Sequence, residues 1–226
     1  MKVDFHIHTN FSYDGISSPR EVVESAIARG LDAICITDHH ETKGALQALS
    51  FNYSKDILII PGIEIRSREG DILGINIREK IPDGLSAKET IIAVNKLGGL
   101  AVIAHPFVWL RGFSGNIVKI FRDLSNLNLA IEVTNASIPD YFNKKAFLFA
   151  RKFNLPCTAG SDAHEADCVG NAFLEIEGEN LSVQEIFWAV KNKKGIPRKK
   201  DISIFEKVKW ELKRDIQKLK NRRIRV

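Results

Sequence analysis

Short apolar runs of strand length alternate with longer helical patterns along almost the whole chain. This alternation restricts the fold more than any other feature. Candidate strands are 3–8, 32–37, 57–65, 71–77, 100–104, 129–133, 156–160 and 172–176. Several helices between them announce their starts by a serine followed three residues later by a glutamate: Ser18 with Glu21, Ser86 with Glu89, and Ser182 with Glu185. In that capping box each side chain satisfies a backbone N–H at the helix start. Pro19 adds the favoured first helical position. Strand–helix alternation predicts an α/β fold with a mainly parallel sheet. A closed barrel and an open doubly wound sheet both fit. Neither G-x-G-x-x-G nor G-x-x-x-x-G-K-[ST] is present, so no nucleotide fingerprint favours the open sheet.

The six histidines narrow the choice. His6, His8, His39, His40, His105 and His164 all fall at or just beyond the carboxyl end of a predicted strand. In a parallel barrel or sheet those ends share one rim, where active sites are built. Carboxylates accompany them. Thr37-Asp38-His39-His40 ends the second strand, Gly62-Ile63-Glu64 falls on the third and Asp71 begins the fourth. Ala104-His105-Pro106 ends the fifth and Ser161-Asp162-Ala163-His164 closes the seventh. His6 and His8, like Asp162 and His164, are two residues apart and project from one face of an extended chain. One Asp-His pair is ordinarily a polar loop. All of these at strand ends point to a metal site, and imidazole with carboxylate suits Zn, Mn or Fe.

His6-Ile7-His8, Asp14, Thr37-Asp38-His39, Gly62-Ile63-Glu64, Ala104-His105-Pro106 and Gly160-Ser161-Asp162-Ala163-His164 resemble the ordered motifs of the PHP (polymerase and histidinol phosphatase) superfamily. The resemblance covers roughly residues 1–195. It implies a distorted (β/α)7 TIM-like barrel with two or three divalent metal ions (Mn, Fe or Zn) at the rim, and hydrolysis of a phosphoester. By that resemblance His6, His8, Glu64 and Asp162 hold one metal. Glu64 bridges to a second with His105, and Asp14, His39 and His164 hold a third. Many relatives carry a histidine where this chain has Asp71, and a carboxylate there shifts preference toward harder metals. Glu64, Asp162 and His164 are the expected catalytic residues. His40, Arg66 and Glu132 are candidates for substrate contact, and Lys43 and Arg111 are loop cations that could hold a phosphate.

The expected reaction is hydrolysis of a small-molecule or nucleotide phosphomonoester by a metal-activated water. An exonuclease acting on RNA or DNA ends is the alternative. An amidohydrolase usually needs a carbamylated lysine at the bridging position, where this chain has Glu64. A non-catalytic scaffold should have lost ligands, whereas all nine positions carry donors.

Cys35, Cys157 and Cys168 are odd in number and widely spaced, which argues against a disulfide framework or thiolate zinc site. No apolar run approaches the ~20 residues needed to span a bilayer, and no signal-peptide pattern opens the chain, so a cytoplasmic protein without membrane contact is expected. The overall charge of +5 hides an asymmetry. Residues 191–226 carry a net +11, leaving −6 for the rest. Lys194-Gly195-Ile196-Pro197 reads as the boundary, with a catalytic barrel over 1–200 and a basic amphipathic helix over 201–226. Ser203 with Glu206 would cap that helix. Its apolar stripe, Phe205, Val208, Leu212, Ile216 and Leu219, is expected to pack on the barrel with the cations in solvent. The alternative role for the basic tail is a footprint on nucleic acid.

Overall fold

The structure, a computed structural model, describes residues 1–51, 56–108, 112–201 and 203–224. Arg111 therefore lies outside the described residues. Seven strands curl into a near-closed barrel: β1 (Lys2–Ile7), β2 (Ala33–Ile36), β3 (Leu58–Arg66), β4 (Asp71–Ile75), β5 (Leu100–Ile103), β6 (Leu129–Asn135) and β7 (Cys157–Gly160). They are hydrogen-bonded in sequence order. Helices α1 (Pro19–Ala28), α2 (Lys43–Leu49), α3 (Ala87–Lys96), α4 (Ile117–Asp123) and α5 (Asp140–Lys152) occupy the connections. The chain ends with β8 (Ala172–Ile176), α6 (Val183–Lys191), β9 (Gly195–Lys199) and α7 (Ile204–Ile224). The expected barrel is thus observed.

Both bonds of the capping box form at each of the three predicted helix starts, α1, α3 and α6. Ser203 and Glu206 make the same reciprocal bonds at the start of α7. Apolar residues from all seven barrel strands meet in the lumen, among them Phe5, Cys35, Ile60, Leu73, Val102, Ala130 and Ala159, and Ile186 and Val190 of α6 pack against them. Val22, Val23 and Ala26 of α1 bury against Ile34 and Ile36, while Ile91 and Val94 of α3 bury with Ile63, Ile72 and Ile103.

The barrel departs from a parallel sheet at one strand. β4 is antiparallel to both β3 and β5, because only Ser67–Gly70 separates it from β3 and no crossover helix fits in that length. The inversion is what brings Asp71, at the start of β4, to the rim reached by the ends of the other strands. Gly195–Lys199, overlapping the boundary read at Lys194–Pro197, forms an edge strand on β8. Its Pro197 is tolerated there because one side of an edge strand needs no N–H donor.

The barrel closes through the segment after β7. Asp162 N donates to His6 O and His8 N to Ala163 O, both at 2.7 Å. β8 pairs antiparallel with the first residues of β1, so β7 and β8 diverge along the same edge. The fully buried Asp4 carboxylate fills the fork, accepting from Ser161 N (2.8 Å), His6 N (3.2 Å) and Gly170 N (2.9 Å). Burial pushes its pKa up to about 6 despite those bonds. At Gly160 the two chains are so close that an added Cβ would sit 2.5 Å from His6 Cβ, so only glycine fits.

Candidate metal centre

The rim gathers its donors from every part of the barrel. β1 supplies His6 and leads directly into His8, and a register shift between Asp4 and Ile7 marks a bulge under them. Bulges re-aim side chains, and a second one falls between Glu132 and Thr134 of β6. Asp14 comes from the loop after β1, His39 from the loop after β2 and Glu64 from β3. Asp71 begins β4, His105 follows β5, and Asp162 and His164 follow β7. His105 (φ 26°) and Asp162 (φ 52°) hold left-handed backbone conformations that non-glycine residues rarely adopt, a strain that clusters at functional sites.

The donors form three overlapping groups: His6, His8 and Glu64; Glu64, Asp71 and His105; and His8, His39 and His164. His6 Nε2 and His8 Nε2 are 3.0 Å apart. Glu64 Oε2 lies 3.3 and 3.2 Å from them, and Asp162 Oδ1 lies 3.6 and 3.4 Å away. The other Glu64 oxygen faces His105 Nε2 at 3.3 Å, and Asp71 Oδ2 is 3.9 Å from the same nitrogen. Asp14, without solvent exposure, points one oxygen at His39 Nε2 (3.5 Å) and one at His164 Nε2 (3.2 Å). The nine residues named from sequence are therefore brought together, and Glu64 spans two groups with its two oxygens.

Neighbours fix how these ligands point. Glu132, buried beneath the rim, has Oε1 3.0 Å from His6 Nδ1, while Oε2 accepts from His105 N (2.8 Å) and Asn135 Nδ2 (3.0 Å). A proton on His6 Nδ1 directed at Glu132 leaves Nε2 as the free donor to a metal. Ser12 Oγ lies 3.0 Å from His8 Nδ1 and donates to Asp38 at 2.9 Å. Glu132 thus holds His6 and the backbone of His105 from beneath the rim. His40 pairs with Asp83, 2.8 Å from its Nδ1, and its ring lies 5.8 Å from that of His39. Arg66 Nη1 donates to both Asp71 oxygens, at 2.6 and 2.7 Å, with its side chain half exposed. Lys43 is exposed and paired with Glu41. Ser12, Asn135 and Asp4 escaped the sequence reading, since nothing local distinguishes them from turn or strand residues.

Several buried atoms at the rim have no hydrogen-bond partner: both Asp14 oxygens, His39 Nε2, His164 Nε2 and His105 Nδ1. Leaving a buried polar group unsatisfied costs about 1–3 kcal/mol. Cations among the three groups would satisfy most of them, so the donor set fits divalent metals. Without metal, protons take their place. Burial alone would lower the pKa of His6, but Asp162, Glu132 and Glu64 outweigh it and raise it well above the ordinary value. His8 is likewise lifted to about 9 against its burial, through Asp162 and Glu64. Burial would raise Glu64 and Asp162, yet the surrounding histidines hold both well below the carboxylate range. His164 is lowered by burial and by His8.

Helix α7 adds an unforeseen element. Its Val208, Leu212, Ile216 and Leu219 are exposed, contrary to the expected apolar docking stripe. Its other side faces the barrel: Trp210 packs on the cluster built around α1 and α2, Lys213 pairs with Glu165, and Lys218 Nζ lies 3.6 Å from Asp14 Oδ2. The cations turn inward because the rim concentrates carboxylates, and amphipathicity alone gives no sign of that.

Fold and rim define a barrel hydrolase with clustered donors suited to a multinuclear metal centre. The chain belongs to the PHP domain family, which matches residues 4–142, and a PHP-associated region matches 140–194. An uncharacterized protein of Methanocaldococcus jannaschii is 34% identical over 117 residues, covering 47% of this chain and 68% of the relative. A Thermotoga maritima protein named probable histidinol-phosphatase is 26% identical over 228 residues, 85% of this chain and 97% of that one. Among solved structures, a two-domain Bacteroides vulgatus protein described as containing a predicted PHP-like metal-dependent phosphoesterase superposes with a TM-score of 0.73. It shares 21% identity, and the match covers 88% of this chain and 65% of that protein. No helix among the described residues is long and apolar enough to cross a membrane.

Proposed function

We propose that the chain hydrolyses phosphomonoesters of small molecules or nucleotides at a di- or trinuclear metal centre. The observation that carries this reading is the set of buried donors converging around Glu64, whose two oxygens face separate groups, with the unpaired atoms of Asp14, His39 and His164 beside it. Membership of the PHP family and the likeness to a protein named as a phosphatase support it. His6, His8, Glu64 and Asp162 would hold one metal, Glu64, Asp71 and His105 a second, and Asp14, His39 and His164 a third. Bound divalent ions supply a water acidified to a pKa near 7 and positive charge for the phosphoryl oxygens.

The chain's own groups set the rest. Glu132 keeps the His6 proton on Nδ1. Asp162 and His164, two residues apart on the closing segment, define the β7 side of the reaction space. Arg66, anchored by Asp71 with half its side chain in solvent, is placed to meet a phosphate oxygen. A lysine for an amidohydrolase bridge is missing from all of β3–β7. We take residues 1–200 as the catalytic unit and α7 as an addition to it.

The approach of basic α7 residues to the rim favours, as a second reading, an exonuclease acting on RNA or DNA ends. The deciding experiment is to load the purified protein separately with Mn, Fe and Zn. Each form is then assayed on phosphomonoesters, phosphodiesters and short 5′-phosphorylated RNA. Monoester hydrolysis that Asp162→Ala abolishes is the expected result. Cleavage of diesters alone would select the nuclease, and inactivity of every loaded form would reject both.

A further inference from the structure

A cavity of about 40 Å³ adjoins the metal centre on its β7 side. Asp162 and His164 border it from the barrel, Asn171 from the segment before β8, and Trp210 and Arg214 from α7. Two of its N–H groups are buried without an acceptor, Arg214 Nε and Asn171 Nδ2. The amide of Asn171 is oriented by Arg29 Nη1, which donates to its Oδ1 at 3.4 Å, so Nδ2 is the end left over. Glu165, which also lines the cavity, is engaged by Lys213 through one oxygen, while its other is unpaired. Buried donors without acceptors are costly, so the Arg214 and Asn171 end of the cavity suits a ligand oxygen, with the charge of Glu165 balanced by Lys213.

Trp210, Arg214 and Lys218 are spaced four residues apart and share one face of α7. The spacing carries a line of positive charge from the cavity to Asp14, where Lys218 Nζ stands 3.6 Å from Oδ2. That separation, like the 3.7 Å to Asp215 Oδ1, is beyond a hydrogen bond, so the ammonium stands near two carboxylates without donating to either. Arginine and lysine together give the two kinds of contact a phosphate takes, a directional N–H and a mobile point charge.

We infer that α7 is part of the substrate site: Arg214 and Lys218, with Asn171, bind the phosphoryl oxygens of a terminal phosphate beside the metal centre. The inference rests on the phosphoesterase reading and assigns the residues that hold its phosphate. A dianionic terminal phosphate can fill a small cavity walled by Trp210, whereas an internal diester must run onward through both its bridging oxygens. The exposed apolar stripe of α7 follows from this arrangement, because the helix is oriented by its cations.

The test uses the full chain loaded with manganese, with inorganic phosphate titrated calorimetrically. Arg214→Ala and Lys218→Ala should each weaken phosphate binding about tenfold, the effect of losing a charged hydrogen bond. KM for a phosphomonoester should rise more than kcat falls, and bound manganese per chain should stay constant. Arg214→Lys should recover part of the affinity, and Lys209→Ala, at an exposed position of α7, should leave it unchanged. Unchanged phosphate affinity in both alanine variants of an active enzyme overturns the inference alone. Tighter binding in Lys218→Ala also overturns it, marking that lysine as an obstructing counter-ion of Asp14. A wild-type chain that neither binds phosphate nor hydrolyses its esters removes the phosphoesterase reading and the inference together.

Discussion

The barrel rim and helix α7 invert the usual relation between polarity and burial in opposite ways. At the rim, His6, His8 and Asp14 have no solvent exposure, although they are among the most polar groups in the chain. On α7, Leu212 and Leu219 are about 60% exposed while Lys218 reaches the buried Asp14. The rim is held by apolar packing beneath it, which forces unsatisfied donors together and leaves them waiting for cations. The helix is placed by the charge those donors accumulate. One region tolerates an electrostatic cost because the barrel core is large, and the other exploits the same electrostatics as its anchor.

The comparison breaks first at the rim. Asp162→Ala should reduce phosphomonoester turnover on the order of a thousandfold, because it removes a donor shared by His6 and His8. Elemental analysis should show less metal per chain. Full turnover would mean that the buried donors are not the reacting centre. Glu132→Gln keeps the shape but not the charge opposite His6 Nδ1, and 10–100-fold weaker metal binding is expected. Competition with a chelating dye measures it, and unchanged affinity would remove Glu132 from any orienting role.

Stability should respond to a smaller degree. Asp4→Asn puts an NH2 against one of the N–H groups that the carboxylate now accepts, and should cost about 1–3 kcal/mol in denaturant unfolding. A neutral result would show that the fork between β7 and β8 is held by something else.

The pH response of the metal-free chain sharpens the same contrast. His8 titrates near 9 when folded and near 6.5 when unfolded, so its stabilisation is fully present below 6.5 and is lost as pH rises through about 9. His6 and His105, also raised, add in the same direction. The metal-free Tm should therefore fall between pH 7 and 9, while metal affinity should strengthen because the ligands must be deprotonated. Calorimetry across that window showing a rising metal-free Tm would contradict the charge arrangement. The smallest effect belongs to α7: Leu212→Ser, at an exposed position, should change stability by no more than about 0.5 kcal/mol. A larger loss would show that the stripe is covered in solution.

Much of the rim could be read from the chain because strand ends are marked twice, by the apolar run that stops and by the donor that follows. His39 after β2 and His105 after β5 are of this kind, and the three capping boxes located helix starts just as locally. What could not be read depends on register or on distant charge. The bulges in β1 and β6 appear only once partner strands are aligned. The Asp4 carboxylate is only one polar residue in a predicted strand until β7 and β8 are seen to diverge around it. The run Gly195–Lys199 carries turn residues and becomes a strand only because β8 offers an edge. The periodicity of α7 is real, but periodicity measures which face is apolar, and here another force chose the face that docks.

Gly160 carries a further consequence. Because the barrel seam passes over a hydrogen atom at 160, directly against His6, the width of the seam and the placing of the His6 ring are a single dimension. Gly160→Ala would touch no ligand, yet it would have to widen the seam and spread the His6–His8 pair with it. In this chain, then, the spacing of two buried histidines is held by the backbone of a residue that carries no side chain.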